Sequence, residues 1–100
     1  MGGYSKMEES RPLDALNAAR NKIVMIDLKN GFRFVGKLRA FDIHINTVLE
    51  DAEEHVPENV KVVKTIGDTT EESYRSELKL RRKVGKVFLR GDTITIISPA

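Results

Sequence analysis

One hundred residues, 40% apolar and 32% charged, suit a single soluble folded domain and argue against a disordered chain. Seventeen cations against fifteen anions leave a formal charge of only +2, so the net charge alone implies no nucleic-acid role; the placement of the charges has to carry it. The absence of cysteine excludes disulfides, thiol catalysis and thiolate metal sites, and fits a reducing, cytoplasmic setting.

Residues 1–10 are polar, hold two glycines and show no apolar period, which predicts a flexible tail ahead of a domain over 11–100. Gly2 does not start a myristoylation motif, because Lys6 stands where serine or threonine is required. Helix chemistry begins at Arg11-Pro12-Leu13-Asp14: proline has no N–H to lose in a first turn, and Asp14 suits the positive helix end. Leu13 and Leu16 share a face, Ala15, Ala18 and Ala19 fill space, and Asn21 is a left-handed stop.

From Ile23 the apolar period becomes two, with Val24, Ile26 and Leu28 on one side and Met25 and Asp27 on the other. The run Ile23–Ile26 is far too short to cross a bilayer. Asn30-Gly31 predicts a hairpin into a second strand, with Phe32, Phe34, Gly36, Leu38 and Ala40 facing away from Arg33, Lys37 and Arg39. Gly36 in mid-strand marks a bend or bulge. Further strands are expected over about 46–52, 78–89 and 93–98. Between the third and fourth, an insert over about 55–76 mixes loop signals (Pro57, Gly67-Asp68, Glu71-Glu72) with strand formers (Val60, Val62, Val63, Ile66). It either extends a hairpin outward or forms a mobile lobe.

One helix followed by five short antiparallel strands with glycines at bends predicts a mostly β protein, a strongly bent sheet forming a small open barrel. Its fourth and fifth strands, apolar and free of proline through Val84–Leu89 and Ile94–Ile97, are candidate edges. Head-to-tail pairing of such edges closes a homo-oligomeric ring.

Two segments carry candidate chemistry. Asp42-Ile43-His44-Ile45-Asn46 puts an imidazole and an amide between strands, and Leu89-Arg90-Gly91-Asp92 puts a guanidinium at a strand end. An arginine plane, an imidazole and an amide are the parts needed to hold one unpaired nucleobase. The basic run Lys79, Arg81, Arg82, Lys83 and Lys86 reads as a solvated face. Catalysis by His44 beside Arg90 lacks a second acid or base at sensible spacing, and no metal-ligand cluster or cofactor motif is present, so no enzyme is expected.

The stretches Ile26–Gly31, Gly36-Lys37-Leu38 and Phe41–Asn46 resemble the first Sm motif, and Lys86–Ile94 resembles the second. Arg11-Pro12-Leu13-Asp14 is similar to the start of that family's N-terminal helix. Together they cover residues 11–99 apart from the insert, and the His-x-Asn and Arg-Gly-Asp forms resemble the archaeal Sm-like (Lsm) branch. The resemblance implies the Sm fold and a ring, usually of seven subunits, that binds uridine-rich single-stranded RNA around its pore and serves as a scaffold or chaperone in RNA metabolism. It implies that His44 and Arg90 sandwich the base, that Asn46 bonds the uracil edge, and that Asp42, Gly91 and Asp92 shape the pocket. A peripheral contact at Arg11 and Phe41 is implied more weakly, since phenylalanine replaces a tyrosine hydroxyl. The competing expectation is a structural assembly hub or tube-forming ring with little RNA binding.

Overall fold

A computed structural model describes residues 12–100 of the protein; the expected tail over 1–10 and the candidate contact Arg11 lie outside the described residues. Helix α1 spans Pro12–Ala18, with proline at its first position. Asn21 then turns the chain at φ 67°, as its short polar side chain permits, and its Oδ1 accepts a bond from Arg39 at 2.6 Å. Of the two helix leucines, Leu16 packs with Ala19 against the core, whereas Leu13 is exposed.

Strands β1 (Ile23–Leu28), β2 (Arg33–Phe41), β3 (Thr47–Ile66), β4 (Thr69–Leu89) and β5 (Ile94–Pro99) form one antiparallel sheet in the order β4-β3-β2-β1-β5. The alternation in β1 is as expected: Val24 and Ile26 are buried, and Asp27 on the other side forms a two-bond pair with Arg33 (2.6 and 3.2 Å) across the hairpin. Asn30 Oδ1 accepts the Phe32 N–H at 2.9 Å, and Gly31 takes the φ of 90° that this turn demands.

The core gathers Val24, Ile26, Phe34, Leu38, Leu49, Ala52 and Leu89 inside the curve of the sheet. That curve depends on interruptions of register. At Gly36 the β2–β3 pairing shifts, and a Cβ there would lie 3.0 Å from Ala52 Cα, so the crossing backbones need the missing side chain. On the β3–β4 side, Asp51 and Gly85, the latter paired with Ala52, both adopt positive φ (51° and 68°) where the register shifts again. Glu54 is buried near this bend, and Arg82 Nε (2.9 Å), with Arg81 Nε at 3.8 Å, supplies the compensating charge.

Among the described residues, edges β4 and β5 have no partner strand on their outer sides, as expected for an open barrel. The third and fourth strands, however, are far longer than expected. They stay paired from Thr47↔Leu89 to Ile66↔Thr69, so the insert extends the hairpin outward as an arm, and the described residues span 68 Å. Valine, threonine and tyrosine along both halves favour the pleated backbone, and Gly67-Asp68 closes the tip with Gly67 at φ 61°. Pro57, read as a loop signal, lies just past His55, the last β3 residue paired with β2; there β3 has a free edge, where a missing N–H is tolerated.

Candidate nucleic-acid interface

The loop between β2 and β3 is organised by one carboxylate. Asp42 Oδ1 accepts the backbone N–H groups of His44 (2.8 Å) and Asn46 (3.1 Å), while Oδ2 accepts Asn46 Nδ2 at 3.0 Å. Aspartate does this because its short side chain reaches the backbone two residues on. The Asn46 amide first, then the two backbone N–H groups, hold the Asp42 carboxyl below the ordinary carboxylate range. Within the loop Ile45 sits at φ 63°, unusual for a β-branched residue, and Thr47 Oγ1 donates to its carbonyl at 2.7 Å.

The second loop is a 3-10 turn over Gly91–Thr93 between β4 and β5. Thr93 donates to the Arg90 carbonyl twice, from its backbone N–H (3.1 Å) and from its hydroxyl (2.6 Å). Arg90 Nη2 donates to Asp92 Oδ2 at 2.9 Å, with both side chains mostly exposed. Such a pair adds little stability, but it orients the guanidinium plane.

Gly91 joins the two loops. Its N–H donates to Asn46 Oδ1 at 2.8 Å, across forty-five residues of sequence. A Cβ at this position would overlap the His44 carbonyl, so glycine is required for the approach itself. Asn46 therefore spends one donor on Asp42 and one acceptor site on Gly91. It keeps one N–H and one lone pair for a guest.

His44, Asn46, Arg90, Gly91 and Asp92 line one open polar cleft, and Asp42 stands behind it. All six residues expected at the central site are thus brought together. Asn46 is more constrained than expected, because both functions of its amide are anchored. Thr47 and Thr93, which brace the loops through their hydroxyls, were not singled out from the sequence; the hint was a β-branched hydroxyl residue directly after Asn46 and directly after Asp92. At the peripheral position, the Arg20 guanidinium lies over the Phe41 ring, 5.2 Å from its centroid. Nothing in the sequence pattern signals that pair, because Arg20, in the turn after α1, and Phe41, at the end of β2, are remote in sequence. The basic run on β4 is largely answered by acids: Lys79 by Glu77, Arg81 and Arg82 by Glu54, and Lys86 by Glu50. Among the described residues, no helix is long and apolar enough to cross a membrane.

A helix leading into a five-stranded bent antiparallel sheet, with this cleft between its two inter-strand loops, defines a protein of the Sm fold. The chain belongs to the LSM domain family, whose family model matches residues 14–99. It is 42% identical over 90 residues to an snRNP Sm-like protein of Archaeoglobus fulgidus, an alignment spanning 90% of this chain and 91% of that one. Among solved structures it resembles the Pyrococcus abyssii Sm protein in complex with a uridine heptamer (TM-score 0.65, 35% identity, 91% of this chain and 100% of that chain). It also resembles a heptameric archaeal Sm protein (TM-score 0.55, 28% identity, 86% and 96%).

Proposed function

We propose that this chain assembles into a ring of identical subunits, seven in number, and binds uridine-rich single-stranded RNA at the cleft, repeated around the central pore. The observation that carries the reading is the Asp42–Asn46–Gly91 hydrogen-bond chain, which fixes an amide in a cleft that an imidazole and a guanidinium also line. Uracil has a flat face for His44 and Arg90 to enclose, and an edge of two carbonyls and one N–H that suits the remaining donor and acceptor of Asn46. A purine is larger and offers a different edge. Asp42, Gly91 and Asp92 position the contacts. Phe41, with Arg20 over its ring, and Arg11 supply a peripheral contact.

The unpaired outer edges of β4 and β5 support the ring, since each can pair with the other edge of the next copy. The likeness to a uridine-bound Sm protein and to a heptameric one supports both halves of the reading. The role is binding without chemistry, as a scaffold or chaperone for RNA in the cytoplasm. A single base contributes about 1–3 kcal/mol of stacking, so affinity comes from repetition around the ring. His44→Ala and Arg90→Ala are each expected to weaken oligo-U binding about 10-fold or more, by that stacking scale, with ring mass unchanged in native mass spectrometry. Unchanged affinity in both variants would overturn the site.

A further inference from the structure

At the base of the arm one buried carboxylate faces two guanidinium groups. In the β3–β4 ladder Arg82 lies opposite Glu54 and Leu80 opposite His55, so Arg81 is an extra residue on β4, a β-bulge. In a regular strand Arg81 and Arg82 would point to opposite faces. The bulge turns both toward Glu54 Oε1, with Arg82 Nε at 2.9 Å and Arg81 Nε at 3.8 Å. The Glu54 side chain is 8% exposed, whereas those of Arg81 and Arg82 are 56% and 63% exposed.

Neutralising Glu54 takes one cation, and the second leaves a surplus positive charge fixed in place. Donors are in surplus as well. Each guanidinium presents five N–H groups, and among the described residues the one hydrogen bond that this pair makes runs from Arg82 Nε to Glu54. Because Nε faces the carboxylate in both, the Nη groups are left for an outside acceptor. A phosphodiester, with one negative charge and two free oxygens, matches both surpluses.

Strand β4 points to the source of that phosphate. Residues 78–91 hold six cations (Lys79, Arg81, Arg82, Lys83, Lys86, Arg90) and no anion, and the last of the six lines the cleft. Arg82 lies eight residues ahead of Arg90, about 25 Å along the strand. Farther out the basic stretch ends, where Glu58 faces Glu77 across the ladder. A ring contact between β5, six residues long, and the barrel segment 84–89 of β4 leaves Arg81 and Arg82 outside it. We infer that Arg81 and Arg82, held by Glu54, bind a backbone phosphate of the single-stranded RNA where it runs on beyond the cleft. This site rests on the cleft reading above and adds a contact that responds to charge and not to base identity.

The test compares two probes by fluorescence anisotropy on the full chain: an oligo-U long enough to fill one cleft per subunit, and the same oligomer extended by adenosines at both ends. Adenosine keeps the tails out of the uracil clefts, so a gain from them belongs to another contact. The wild-type protein is expected to bind the tailed RNA about 10-fold tighter at low salt, the scale of a hydrogen bond to a charged group. That gain should shrink about 2.5-fold for a fourfold rise in salt, as one phosphate on a single strand requires. Arg81→Ala, which leaves Glu54 its closer partner, is expected to abolish the gain and keep the untailed affinity. Lys64→Ala, near the tip of the arm, is expected to keep both. Equal affinity for the two probes in the wild-type protein, or a gain that survives Arg81→Ala, would overturn the inference and leave the cleft intact. Failure of the untailed oligo-U to bind would overturn the cleft reading and this inference with it.

Discussion

Gly91 has no spare volume, so Gly91→Ala forces the two loops apart. Overpacking of this kind costs about 1–3 kcal/mol, and the variant is expected to melt at lower temperature and to lose oligo-U affinity together, since one displacement causes both. Asp42 acts through different physics. Its folded pKa lies below the ordinary carboxylate value, so the loop gains stability from it above that value and loses it as pH falls through the lowered one. In an acid titration, the Asn46 side-chain amide resonances should report a transition below the ordinary aspartate range, and Asp42→Ala should abolish it. Both motifs could be read from the chain because their residue types state their chemistry. What could not be read was that Asn46 spends half its hydrogen bonding on its own protein, because the Gly91 N–H that occupies it is remote in sequence.

At the scale of the strands, Glu54 and Arg82 make a distinguishing case. Arg82→Ala leaves a buried carboxylate short of its main partner, at a cost of about 1.5–3 kcal/mol for a lost bond to a charged group, visible as a lower melting temperature. The double variant Glu54→Met, Arg82→Ala should recover most of that loss, because a well-packed apolar residue often replaces a buried ion pair without penalty. The strand periods from Ile23 to Ala40 were legible because burial alternates there, as in Val24, Ile26, Phe34 and Leu38. The arm was not. Its side chains are exposed on both faces, so no apolar alternation marks it, and Pro57 and Gly67-Asp68 looked like breakers when one lies on a free strand edge and the other closes a turn. Its only positive signal was a surplus of β-branched residues.

For the whole molecule, the arm and the barrel should be separable. Val56 and Lys79 face each other in the ladder, so replacing 57–78 by Asn-Gly joins them with a two-residue hairpin turn. The shortened chain is expected to keep its ring mass and its oligo-U affinity, measured by native mass spectrometry and fluorescence anisotropy; dissociation to monomers would mean that the arm belongs to the ring contact. The Gly91–Asn46 bond reaches further than its length suggests. It clips the far end of the polypeptide to a loop near its middle, so a nucleotide lodged there spans both and favours the closed, native arrangement over the unfolded chain. Occupancy thereby becomes readable as heat resistance, and an unlabelled dye-melt screen of short homopolymers would rank what this protein prefers to hold.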